Sequence, residues 1–75
     1  MSDYTSLEEY ISKLEEQLKE NPDDGLLHYN MGCVLIGKGQ YEEAEKELKK
    51  AVQLNPDQPE AYVQLGGLAL RKGDD

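Results

Sequence analysis

A chain of 75 residues has room for one small domain, which buries only a modest share of its surface. With 16 acidic against 8 basic residues its formal charge is -8, a field that repels nucleic-acid phosphates and anionic membranes and excludes both as partners. The sequence shows no apolar run long enough to span a bilayer and no basic stretch followed by a short apolar one, and the single cysteine, Cys33, cannot form an internal disulfide, so a cytoplasmic location is expected.

The first predicted helix covers about 4–20. Asp3, Thr5 and Ser6 are candidate N-caps, and Thr5 with Glu8 or Ser6 with Glu9 has capping-box spacing. Leu7, Ile11, Leu14 and Leu18 form one apolar stripe, flanked by Tyr4 and Tyr10. Glu9–Lys13 and Glu15–Lys19 stand at i,i+4 in the favourable order. Asn21-Pro22 stops the helix, because the residue before proline is pushed out of the α region.

Asp23 or Asp24 caps a second helix over about 24–38. Leu26, Leu27, Tyr29, Asn30, Met31, Val34, Leu35 and Ile36 make it apolar around most of its circumference, which implies neighbours on several sides. Gly32 inside it costs about 1 kcal/mol relative to alanine, a cost that close approach of another helix would explain. Gly39 is the better candidate for a left-handed C-cap. The third helix, 41–54, has an apolar side of Tyr41, Ala44, Leu48, Ala51, Val52 and Leu54, with Glu42–Lys46 and Glu45–Lys49 at i,i+4. Asn55-Pro56 ends it. The fourth helix covers about 58–72 and carries Tyr62, Val63, Leu65, Leu68, Ala69 and Leu70; Asp57 is its expected cap, with Pro59 in the first turn.

The chain repeats itself at one constant offset, of about 34 residues. Asn21-Pro22-Asp23 falls on Asn55-Pro56-Asp57, Met31-Gly32 on Leu65-Gly66, Lys38-Gly39 on Lys72-Gly73, Leu14 on Leu48 and Glu8-Glu9 on Glu42-Glu43. These residues and this period resemble the tetratricopeptide repeat family. Its helix-A pattern reads here as His28-x2-Met31-Gly32-x2-Leu35 and again as Tyr62-x2-Leu65-Gly66-x2-Ala69; Gly39, Tyr41, Ala44, Leu48, Ala51 and Pro56 match its later signature. The departures are His28 for an aromatic, Leu35 and Ala69 for a tyrosine, and Tyr10 and Gln17 for small residues.

The resemblance implies an all-α domain of antiparallel helix pairs, a piece of an alpha-alpha superhelix with its four helices in the order B-A-B-A. Residues 1–22 then correspond to a helix B, 25–58 to one complete repeat and 59–75 to a helix A alone. Gly66 and Ala69 would lack their usual neighbour, which leads to an expectation of self-association through 58–72, or of a longer array continuing the stack. The family's inner face carries over to Leu26, Tyr29, Asn30, Cys33, Ile36 and Gly37 on one helix A, and to Glu60, Val63, Gln64, Gly67, Leu70 and Arg71 on the other. The resemblance thus implies a protein-binding module, its groove suited to an apolar or basic segment. One subfamily clamps acidic chaperone C-termini with Lys, Asn and Arg; the matching positions hold Tyr29, Cys33 and Glu60, with only Arg71 basic, so no such clamp is expected.

The opposing class is a small enzyme or metal-dependent protein, and the residues offer it little. His28 and Cys33 are five apart on one helix and do not face each other, and no third group orients a nucleophile. One histidine, one cysteine and scattered carboxylates lack metal-ligand spacing, and the glycines do not form a phosphate loop. No cofactor is expected.

Overall fold

A computed structural model describes residues 6–72 and folds them into four α-helices. These are α1 (Leu7–Glu20), α2 (Gly25–Gly37), α3 (Tyr41–Leu54) and α4 (Pro59–Arg71), and no strand occurs among the described residues. Expectations about Asp3, Tyr4, Thr5 and Gly73 lie outside them.

Local chemistry sets the ends. The backbone N–H of Glu9 donates to Ser6 Oγ at 3.2 Å, so Ser6 is the working cap of α1. Asp24 caps α2 by accepting from the N–H groups of Leu26 and Leu27. After α2 the chain reverses through Gly39 at φ +80°, where the N–H of Gly39 donates to Ile36 and that of Gln40 to Leu35, both at 2.9 Å. This paired pattern satisfies the last carbonyls of the helix and needs the left-handed conformation that glycine adopts without a Cβ penalty.

One expected cap moves. The N-cap of α4 is Gln58, not Asp57. Gln58 occupies the position one repeat period after Asp24. Its side chain makes no capping bond, and its buried Oε1 has no partner among the described residues. Pro59 stands at the first helical position, where the missing N–H costs nothing.

Packing centres on α2, which touches each of the other three helices. That is why its apolar residues encircle it rather than forming a stripe. Leu14 from α1, Met31 and Leu35 from α2, Ala44 and Leu48 from α3 and Leu68 from α4 make one buried core; Ala51 and Ala61 are also fully buried. The closest approach is at Gly32. A Cβ there would stand 2.6 Å from Leu48 Cγ, so glycine lets α3 lie against the α2 backbone. Gly25 plays a similar part at the helix start, facing the Asn55 side chain. Gly66, the counterpart of Gly32 one repeat later, has open space where its Cβ would be.

Each even-numbered helix is tied by its terminal lysine to the helix before it. Lys38 Nζ reaches Glu8 on α1 at 3.1 Å, and Lys72 Nζ reaches Glu45 on α3 at 2.6 Å. Glu45 also receives Lys49 at 3.0 Å, whereas Glu15–Lys19 and Glu42–Lys46 do not close. The bond from Lys72, followed by that from Lys49, holds the Glu45 carboxyl below its usual range; the bond to Glu45 in turn raises Lys72.

The glycines and the tether can each be tested. Gly32→Ala gains helix propensity but drives a methyl into the fully buried Leu48, for a net destabilisation of about 1–2 kcal/mol. Gly66→Ala meets no atom and stabilises by about 0.5–1 kcal/mol. Denaturant titration of the two variants in dilute solution should therefore give midpoint shifts of opposite sign. The tether responds to pH. A lowered Glu45 stabilises above its unfolded value and loses that contribution as pH falls through the folded one. A raised Lys72 stabilises below its unfolded value and loses that contribution as pH rises through the folded one. The α3–α4 tether thus holds across the neutral range and fails at both extremes. Thermal unfolding against pH should show a shallower acid decline in Glu45→Gln and a shallower alkaline decline in Lys72→Met.

Candidate functional site

Because α4 lies beside α2, side chains from two distant segments meet. Tyr29 is the hub. Its hydroxyl lies near the Cys33 thiol one turn along and near Glu60 and Gln64 on α4. The nearby Cys33, then burial and the negative charge of Glu60, push the Tyr29 phenol above its ordinary range; the Gln64 side chain opposes them. The phenol therefore stays neutral and available as a hydrogen-bond donor. Asn30, Ile36 and Gly67 are half-buried on the same pair of helices, while Gly37 and Arg71 are exposed.

Not all the inner-face residues join this cluster. Leu26 sits with Glu60 at the α3–α4 turn, in a cleft of about 680 Å³ that also takes in Leu54, Pro56 and Pro59. Val63 and Leu70 are 69% and 76% exposed. They are the repeat counterparts of Tyr29 and Ile36, which are half-buried against the core. The α4 positions lack a neighbour of that kind among the described residues.

The repeat-packing residues divide in the same way. In the first copy Met31, Gly32, Ala44, Leu48 and Ala51 are buried, Tyr41 is half-buried, Gly39 forms the turn and Pro56 is exposed in the next one. In the second copy Leu65 is half-buried, while Tyr62, Gly66 and Ala69 are exposed. A further cleft of about 330 Å³ runs beside them, lined by Glu45, Leu65, Leu68, Ala69 and Lys72.

His28 is committed elsewhere. Its Nδ1 lies 2.8 Å from Glu47 Oε1 and its Nε2 2.9 Å from the Pro22 carbonyl oxygen. Both partners are acceptors, and which of them a ring N–H donates to depends on the tautomer. The histidine thereby pins the α1–α2 turn to α3, with its ring turned to these groups rather than to Cys33. Among the described residues, no group of three or more His, Cys, Asp or Glu side chains converges as a metal site. No helix among them is long and apolar enough to cross a membrane.

Sequence reasoning missed a third surface. A cleft of about 970 Å³ opens between α1 and α3, floored in part by α2. The available signal was the excess of glutamates over lysines on α1 and α3, which leaves carboxylates free to face something other than a helical neighbour.

Two family models match the chain. One, described as TPR repeat, covers residues 32–73; the other, described as Tetratricopeptide repeat, covers residues 15–46. Among curated proteins, the chain is 30% identical over 67 residues to a Pseudomonas putida protein named "Probable biofilm formation methyltransferase WspC". That alignment takes in 89% of this chain and 16% of the relative, so the chain spans about a sixth of its length.

Proposed function

This chain belongs to the tetratricopeptide repeat family, and from that membership we propose that it is a cytoplasmic protein-interaction module. It docks an apolar or basic segment of a partner on the α2–α4 face. The supporting observation is the meeting of Tyr29, Cys33, Glu60 and Gln64 across two helices, with Asn30 beside them. Tyr29 offers a neutral hydroxyl and Asn30 and Gln64 offer amides, groups that can pair with a peptide backbone. Leu26 supplies exposed apolar surface and Glu60 a carboxylate for a basic side chain.

We assign this stretch to docking rather than catalysis. The relative carries a methyltransferase name, but the shared stretch is 16% of it, and the single histidine here is held by Glu47 and the Pro22 carbonyl. The reading is the same for one complete repeat, 25–58, between partial ones and for a stretch of a longer repeat scaffold.

The test is selection of short peptides from a random library on the full chain. Enriched peptides should be apolar or basic, and Asn30→Ala with Gln64→Ala should weaken them about tenfold, or about 1.4 kcal/mol. Acidic C-terminal peptides should bind more weakly than the enriched ones. Enriched peptides indifferent to both substitutions would remove this reading.

A second reading is self-association through 58–72, favoured by the exposure of Tyr62, Val63 and Leu70 along one helix. Sedimentation equilibrium should then show mass rising with concentration, and Leu70→Lys should hold the chain monomeric. A parent mass that stays monomeric at every concentration ends this reading.

A further inference from the structure

The α1–α3 cleft has a chemistry of its own. α1 and α3 each pack on α2 but not on each other, which leaves about 970 Å³ of open space between them. Half-buried Ile11 and Leu18 give it an apolar lining, with the edges of the buried core residues Met31 and Leu35 at its floor. Glu15 and Glu16 stand on one wall and Glu43 on the other. All three are exposed, and none has an ion-pair partner among the described residues. Two other charged groups of the lining have partners, Glu47 in His28 and Lys38 in Glu8, which leaves Lys19 as the unpaired cation among the described residues of the rim.

On α2 the floor residues Met31 and Leu35 lie two positions beyond Tyr29 and Cys33. At about 100° per residue that is roughly the opposite side of the helix. The cleft is therefore a separate surface from the α2–α4 face.

We propose that this cleft docks a basic amphipathic helix of another protein. Its apolar side would meet Ile11 and Leu18 over the buried Met31 and Leu35, and its lysines or arginines would meet Glu15, Glu16 and Glu43. The shape argues for a helix, because two helical walls over a helical floor form a groove of the kind that takes one. The charge chooses the sign. A second copy of this chain carries -8 and would bring carboxylates against carboxylates, and a phosphate-bearing ligand is repelled in the same way. The inference goes beyond the α2–α4 reading, since the two surfaces share no residue.

The probe is a peptide of about 18 leucines and lysines patterned as an amphipathic helix, titrated into the isotope-labelled full chain and followed by NMR. Chemical-shift changes should centre on Ile11, Leu18, Met31 and Leu35. The combined Glu15→Gln, Glu16→Gln and Glu43→Gln variant, checked for unchanged helicity, should bind at least about tenfold more weakly. A scrambled peptide with its leucines spread around the helix should also bind more weakly. Affinity within about twofold of the parent in the triple variant, or equal binding of the scrambled peptide, overturns the proposal. Shift changes confined to Tyr29, Cys33 and Gln64 overturn it too, while supporting the α2–α4 reading.

Discussion

The fold rests on the contact between Gly32 and Leu48. Two helices can cross with backbones this close only where one of them lacks a side chain and the other offers small neighbours. Gly32 supplies the gap, and Ala44 and Ala51, one turn either side of Leu48, keep the rest of α3 from standing off. With α3 so close, Met31 and Leu35 meet Leu48 in one core, and Leu14 and Leu68 close that core from either side. Remove the close approach and α2 has no reason to be apolar all round.

The same geometry explains where the molecule is open. Positions that α3 covers on α2 recur one repeat later on α4 without a helix over them among the described residues. Gly66 repeats Gly32 with nothing in front of it, and Val63 and Leu70 repeat Tyr29 and Ile36 without a packed neighbour. Buried contact in one copy becomes exposed apolar surface in the next. In repeat proteins this is the expected division of labour: stability comes from nearest-neighbour interfaces, and any interface left unmade is available for association.

Most of the fold was legible because its signals are local. The Asn-Pro breakers, the Gly39 turn and the constant repeat offset depend on a few adjacent residues and would read the same in any context. The α2–α4 cluster was legible only through family resemblance, since no local pattern places Tyr29 against Gln64. The α4 cap was misread because Asp57 is the better capping residue by type, whereas the turn geometry, copied from the preceding repeat, puts Gln58 at the position Asp24 fills so well. Gly25 went unread for the opposite reason. Nothing around it in sequence asks for a glycine; the demand comes from Asn55, brought close by the α2–α3 hairpin.

Charge separates the surfaces that remain. On the α2–α4 face the polar groups near Tyr29 are mainly neutral, and Glu60 is the carboxylate that acts on its phenol. Between α1 and α3 the apolar floor is bordered by carboxylates that no lysine among the described residues has claimed. The chain has lysines enough to pair them, but it places Lys38 and Lys72 at helix ends, where they hold neighbouring helices together. A net charge of -8 is thus not spread evenly as solvation. Those cations are committed to the scaffold, and part of the acidic excess is concentrated beside an apolar groove, where desolvation by an incoming helix would strengthen each attraction it makes.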